Sequence, residues 1–382
     1  MPLLQRRKHR IAISCFFFLA GICFFSWASR IPDIQTRLQL SNAALGGILL
    51  CLPAGLLTSL PVAGFLVAKY GSRIIVIVAA ALYAITLPML GFAGNSKALM
   101  VILFIFGFGG NMLNISMNTQ AVGTENLYEK PIMASFHGIW SMGGFTGGAI
   151  GTLMVQYRVI PPYHFLYITG ISLFILIIFA GNLITKDNNR SEQQPIFARP
   201  DRSILNFGLI AFCAMICEGA MSDWSGVYFA KIVKPDAKWI TVGFTAYVST
   251  MATGRFVGDW VAYKIGLKRM LQLSGILTAS GLMLAVCFPE FITATIGFLI
   301  VGAGVSSVIP LIYSTVGKSK VMSPGVAIAA VSTIGYLGFL MGPPFIGFIA
   351  QATSLRISFS LIAIMGIMIA VIATRTNTSV RV

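Results

Sequence analysis

Residues 64–73 read GFLVAKYGSR, an apolar stretch closed by a lysine, a glycine and an arginine, and residues 259–268 read DWVAYKIGLK. Lys69 and Gly71 of the first stretch map onto Lys264 and Gly266 of the second at an offset of about 195 residues. The same offset carries Gly107 and Gly109 onto Gly302 and Gly304, and Gly143 and Gly147 onto Gly338 and Gly342. Trp27 and Trp224 differ by 197, so one small change of length keeps the register along the whole chain. Agreement at several separate segments points to an internal duplication.

The composition says what was duplicated. Apolar residues make up 57% of the 382-residue chain and charged residues 10%, whereas soluble domains run near half apolar and a quarter charged. Twelve apolar runs, each long enough to cross a hydrocarbon core of roughly 30 Å, lie at 11–29, 42–67, 73–93, 98–121, 135–156, 165–184, 204–229, 240–262, 268–288, 290–313, 325–349 and 355–374. The expected fold is therefore all-α, a polytopic membrane protein of twelve transmembrane helices in two pseudo-symmetric six-helix bundles. The bundles are expected at 1–184 and 204–382, joined by a cytoplasmic linker at 185–203 rich in Asn, Gln, Pro and charge. Parallel halves of this kind are expected to hold a solute site between them near the bilayer midplane.

A net charge of +16 raises the question of an anionic partner such as nucleic acid, and the placement of the charge answers it. With loops assigned to alternating sides, eighteen of the 27 Lys and Arg residues fall on the presumed cytoplasmic side and eight on the other, leaving Arg255 inside a span. Both termini are expected in the cytoplasm of a bacterial cell, with the protein multi-pass in the inner membrane. Arg6 to Arg10 ahead of the apolar run Ile11 to Phe25 also fits a cleavable signal sequence, but losing that span would spoil the two-half symmetry. The six cysteines all lie in apolar spans and are expected as free packing thiols, with no metal spacing.

GFLVAKYGSR after the second span resembles the loop signature of the major facilitator superfamily in its glycine, basic and glycine positions. The signature's acidic residue is replaced by Ala68 here and by Tyr263 in the second copy, which weakens gating schemes built on that carboxylate; Asp259 substitutes in part. Over almost the full length, SWASRIPDI, CEGAMSDW, GRFVGDW and GYLGFLMGPPFIG resemble YbjJ-like bacterial inner-membrane transporters and, more distantly, the fucose permease group. The resemblance implies proton-coupled movement of a small polar solute without defining the solute. The fourth-span arginine of many drug antiporters is absent, and the Gly-Pro pair of their fifth span occurs here only as Gly342 and Pro343 of the eleventh.

Glu218 sits near the middle of the seventh span, where insertion scales put a charged carboxylate at a cost of about 2.5–3.5 kcal/mol. It is either a proton-coupling site, neutral when dry and ionised when water or a cation reaches it, or a permanently protonated strut bonded to a neighbouring helix. Asp223, five residues on and roughly 7.5 Å nearer the outside by helical rise, is expected at a solvated mouth or, alternatively, in the solute site. Asn111, Asn114 and Asn118, at steps of three and four, put three amides on one face of the fourth span. An unpaired amide in hydrocarbon costs several kcal/mol, so the stripe is either interhelical glue or a hydrogen-bonding wall for a solute. Gln120 extends that wall if the cavity reaches further inward.

Arg30, ahead of Pro32 and Asp33, either snorkels to the outer headgroups or turns inward to anchor an anionic solute or Glu218. Trp27 and Trp224 are interfacial belt aromatics or stacking surfaces of a central cavity. Arg255 and Asp259, one turn apart, permit an intrahelical ion pair or a gating latch, to which Lys69, Arg73 and Lys264 of the loop motifs would contribute. His137, opening the fifth span, is an interfacial hydrogen-bonder or a proton relay. The glycine series of the fifth and eleventh spans fits close helix contact.

Phosphate-cradling loops, paired metal ligands and nucleophile elbows are not found at workable positions, so neither catalysis nor a cofactor or metal is expected. The function expected is secondary active transport, a small-molecule solute and protons being the partners, with uptake ahead of proton-driven efflux of a drug or metabolite. A monomer in the bilayer is expected, with no nucleic acid.

Overall fold

The structure is a computed structural model and describes residues 3–128, 132–185, 202–316 and 324–376, with Leu3, Ala134, Arg202, Ser203, Asp259, Pro324, Gly325, Val326 and Ala329 described for their backbone alone. The helices are α1 (Leu3–Ser29), α2 (Ile31–Arg37), α3 (Asn42–Leu49), α4 (Cys51–Tyr70), α5 (Ser72–Phe92), α6 (Ser96–Glu125), α7 (Met133–Gln156) and α8 (Pro161–Phe179). Beyond residue 201 follow α9 (Arg202–Tyr228), α10 (Val242–Ile265), α11 (Leu267–Cys287), α12 (Phe291–Val305), α13 (Val308–Val316), α14 (Pro324–Ala352) and α15 (Leu355–Arg375). No strand occurs among the described residues. Ten of the helical stretches are long and apolar enough to cross a membrane. With α7 and α10, 24 residues each, the long stretches number twelve when α3 and α4, and α12 and α13, are each taken as one.

Local chemistry sets the breaks. α1 ends at Arg30, and α2 restarts with a proline in its first turn, an element the apolar pattern does not announce. Ser41, Asn95 and Ser354 cap α3, α6 and α15, each side chain accepting from the backbone N–H three residues on. Glu125 Oε2 accepts from the backbone N–H groups of Ile132 and Met133 at 2.6 and 2.7 Å, which ties the start of α7 to the end of α6. The second expected span is two helices meeting at Leu50, and the tenth is two meeting at Ser306 and Ser307.

The chain divides into two compact units, one of residues 1–190 with Ala237–Thr241, the other of residues 191–236 and 242–382. Most of the expected linker lies outside the described residues. In the first unit α1 packs along α7 and α8, α4 along α6, and α5 along α6 and α8. In the second, α9 packs along α14 and α15, α10 along α12, and α11 along α12 and α15. The two sets correspond helix for helix. The close approaches repeat as well: a side chain at Gly107 would strike the carbonyl of Leu52, and one at Gly302 the carbonyl of Tyr247, which is 195 residues from Leu52. Gly71 and Gly266 both turn at φ 84°, a conformation that suits glycine.

The basic N-terminus is anchored in the first unit. Arg6 donates to the Leu127 carbonyl at 3.0 Å, and Arg6 and Arg10 both lie over the Tyr128 ring. His9 Nδ1 lies 2.7 Å from the Asn182 carbonyl oxygen. α1 is thereby held against the segments that follow α6 and α8 as well as against α7 and α8, as a member of the bundle.

Candidate functional site

In the second unit, Glu218 of α9 pairs with Arg255 of α10, Nη2 donating to Oε1 at 3.1 Å, with side chains 19% and 17% exposed. The intrahelical Arg255–Asp259 pair expected from spacing falls on the side chain of Asp259, which lies outside the described residues. Spacing along one helix does not announce this pair. The reason is geometric: α9 and α10 pack together, and a guanidinium four bonds out from the backbone spans the gap.

Three tyrosines stand close enough for the Glu218 charge to act on them: Tyr247 of α10, Tyr313 of α13 and Tyr336 of α14. Tyr247 is bonded to Ser222, one turn along α9 from Glu218, and its hydroxyl lies 3.3 Å from Met251 Sδ. Tyr313 is bonded to Ser332 of α14. Tyr247 is fully buried, whereas Tyr313 and Tyr336 are half-buried. Sequence reading missed all three. Tyr247 lies eight residues before Arg255 and so on the same face of α10, a signal that was available; nothing in one sequence marks Tyr313 or Tyr336. The arrangement offers one anion, one cation and several hydroxyls at mid-span, the set of groups that can hydrogen-bond a hydroxylated solute and exchange a proton.

The remaining candidates separate. Asp223 is 7% exposed, and its helical stretch runs on to Val233. Asn111 donates to the Leu56 carbonyl at 3.0 Å and to Ser59 Oγ at 2.8 Å, so its amide N–H groups are spent on α4. Asn118 donates to Asn114, to its carbonyl at 2.8 Å and its Oδ1 at 2.9 Å, and both are half-buried. Gln120 Nε2 donates to Ser72 Oγ and to the Ile184 carbonyl, and its Oε1 accepts from the Ile184 N–H; it is a fastener between helix ends.

Arg30 is buried and paired close to its own place in the chain. It is 2% exposed and binds Asp33 at 3.1 Å and the Val159 carbonyl at 2.7 Å, because the short α2 brings Asp33 back beneath it. Burial pushes the Asp33 carboxyl up and the Arg30 guanidinium down from their ordinary values, and their mutual attraction opposes both. Trp27 and Trp224 are 1% and 0% exposed, and neither indole N–H has a partner among the described residues, so neither is a belt aromatic or an open stacking surface in this structure. Lys69 lies over the rings of Phe65 and Tyr70, and Lys264 over Trp260 at 4.0 Å. Arg73 points to the Gly181 carbonyl at 3.5 Å. His137 packs edge-on against Phe17.

The family model described as Major Facilitator Superfamily matches residues 12–319 and 234–379. An uncharacterized MFS-type transporter of Yersinia pestis is 31% identical over 349 residues, 91% of this chain and 91% of its own length. Membrane protein MosC of Rhizobium meliloti is 30% identical over 366 residues, 94% of this chain and 88% of its own. Among solved structures, a bacterial homolog of the human lysosomal transporter Spinster superposes with a TM-score of 0.78 at 14% identity, covering 100% of this chain and 99% of that one. The nucleoside transporter NupG gives 0.76 at 12% identity, covering 96% and 98%; at such identities the likeness is one of fold.

Proposed function

This chain belongs to the Major Facilitator Superfamily and is a membrane transporter of that family, and from that premise we propose that it takes up a small polar solute, sugar-like or a related metabolite, together with protons. The observation that carries the reading is the Glu218–Arg255 pair inside the spans with Tyr247, Tyr313 and Tyr336 about it. A charge pair kept in low dielectric is expensive, and a site that must bind and release a proton has a use for it. Protonation of Glu218 cancels its charge, loosens Arg255 and leaves guanidinium and phenol donors for the hydroxyl oxygens of a solute. Loss of the proton on the inner side restores the pair and expels the solute. An inside-negative membrane potential contributes about 2.3 kcal/mol per charge per 100 mV, enough to drive accumulation by tens of fold for one proton.

The solute is sought by a thermal-shift screen of sugars, polyols, sugar acids and common drugs on the purified protein. In proteoliposomes with the solute so found, Glu218→Gln is expected to abolish uphill accumulation while keeping exchange of labelled for unlabelled solute. Uphill transport by that variant at the parent rate would show that Glu218 is not the coupling carboxyl.

A further inference from the structure

Where the first unit gathers the ends of α1, α5 and α8, two basic side chains close on one turn. His9 of α1 has Nδ1 2.7 Å from the Asn182 carbonyl oxygen, and Arg73 of α5 donates through Nη2 to the Gly181 carbonyl at 3.5 Å. The turn, Ala180–Asn182, is open: Gly181 is exposed, and a side chain added to it would meet nothing within 4 Å. Four residues before Arg73, across the Gly71 turn, Lys69 is exposed over the rings of Phe65 and Tyr70, 5.6 and 5.2 Å from their centroids. One carbonyl leaves most of the five guanidinium N–H groups of Arg73 open, and ring faces attract the Lys69 ammonium without cancelling its charge. Neither cation is in an ion pair among the described residues. The same end of the unit carries Arg6, Arg7, Lys8 and Arg10. Its acid among the described residues is Glu125, whose Oε2 is already taken by the N–H groups of Ile132 and Met133.

This charge adjoins an apolar surface. α5 and α8 pack together. Ile74, next to Arg73, is exposed, and so are Phe174, Ile177 and Ile178, which recur at steps of three and four on the face of α8 that leads to Gly181. We propose that this end of the first unit is a site for one anionic phospholipid, its phosphate held by Arg73 and Lys69 over the turn Ala180–Asn182 and its acyl chain lying along the exposed face of α8. The chemistry selects that occupant. Guanidinium and ammonium groups donate to phosphate oxygens, and basic pockets between transmembrane helices take acidic lipid headgroups. A soluble anion would meet the cations and leave the apolar face idle. A zwitterionic lipid brings its own cation to a place that already has several. An acidic peptide needs partners for its backbone, which the apolar stripe of α8 does not offer. The site belongs to the first unit and does not depend on the transport reading above.

The test is native mass spectrometry of the whole protein, stripped of lipid in detergent and titrated with phosphatidylglycerol, phosphatidylcholine or glycerol 3-phosphate. The first phosphatidylglycerol is expected to bind about thirtyfold tighter than phosphatidylcholine, and Lys69→Gln and Arg73→Gln are each expected to lose about fivefold of that. Arg73→Lys is expected to keep most of the preference, and Ile177→Asn to weaken binding of the lipid without touching its charge. Lys69 makes no hydrogen bond to a described residue, so Lys69→Gln reads the site even if Arg73→Gln does not fold. Arg7→Gln removes an exposed charge at the same end and is expected to cost little. Equal affinity for the two lipids, or a loss in Arg7→Gln as large as in Lys69→Gln, would mean diffuse attraction and overturn the proposal. Displacement of the bound lipid by glycerol 3-phosphate at matched concentration would also overturn it, by making the site one for a soluble anion.

Discussion

At the scale of single residues, polar groups in the spans are of three kinds: spent on a neighbour, paired across helices, and left alone. Asn111 is the first kind. Its bonds to α4 are local fastening, so Asn111→Ala is expected to cost about 1 kcal/mol, seen as a small loss of thermal stability in detergent, with solute binding unchanged. Weaker binding at unchanged stability would return Asn111 to the solute site. Glu218 and Arg255 are the second kind. A double-mutant cycle of Glu218→Gln and Arg255→Gln, read by thermal unfolding, is expected to give a coupling of about 1–3 kcal/mol; additive effects would mean that the pair contributes nothing as a pair. Asp223 is the third kind, and its burial was not legible, since position along α9 does not say what packs around it.

At the scale of elements, glycine decides how near the helices come. Gly107 against Leu52 and Gly302 against Tyr247 are backbone-to-backbone approaches at equivalent places, where an added side chain meets a carbonyl that cannot move aside without moving its helix. Gly107→Val and Gly302→Val are each expected to destabilise by about 1–3 kcal/mol, checked by the melting temperature of the purified variants. Similar losses in both are the expected sign of a shared geometry; a neutral change in either would show that its helix pair has room to part. The apolar pattern found the long helices but missed α2 and the breaks at Leu50 and Ser306, because a short turn within an apolar run alters backbone dihedrals without altering hydropathy.

At the scale of the molecule, the charge of the loops bears on orientation. The excess of Lys and Arg on alternate loops predicts both ends in the cytoplasm, so green fluorescent protein fused at the C-terminus is expected to be bright and alkaline phosphatase fused there inactive. The opposite pair of results would invert the topology. The two units repeat one helix-packing scheme, and their resemblance was visible beforehand in glycines spaced by about 195 residues, since a close approach can be read from the residue that permits it.

The chain's own pattern of apolar runs, glycines and loop charges determined that this is a duplicated helical membrane protein, because water-to-lipid transfer and steric exclusion act on residue type and order alone. What each buried polar group does was decided by the tertiary structure. Arg255 pairs with a glutamate on another helix, and Arg30, with open routes to lipid and to the interior, pairs with Asp33. The choice of partner depends on distances between helices of a few ångströms, which packing sets and no spacing along one helix contains.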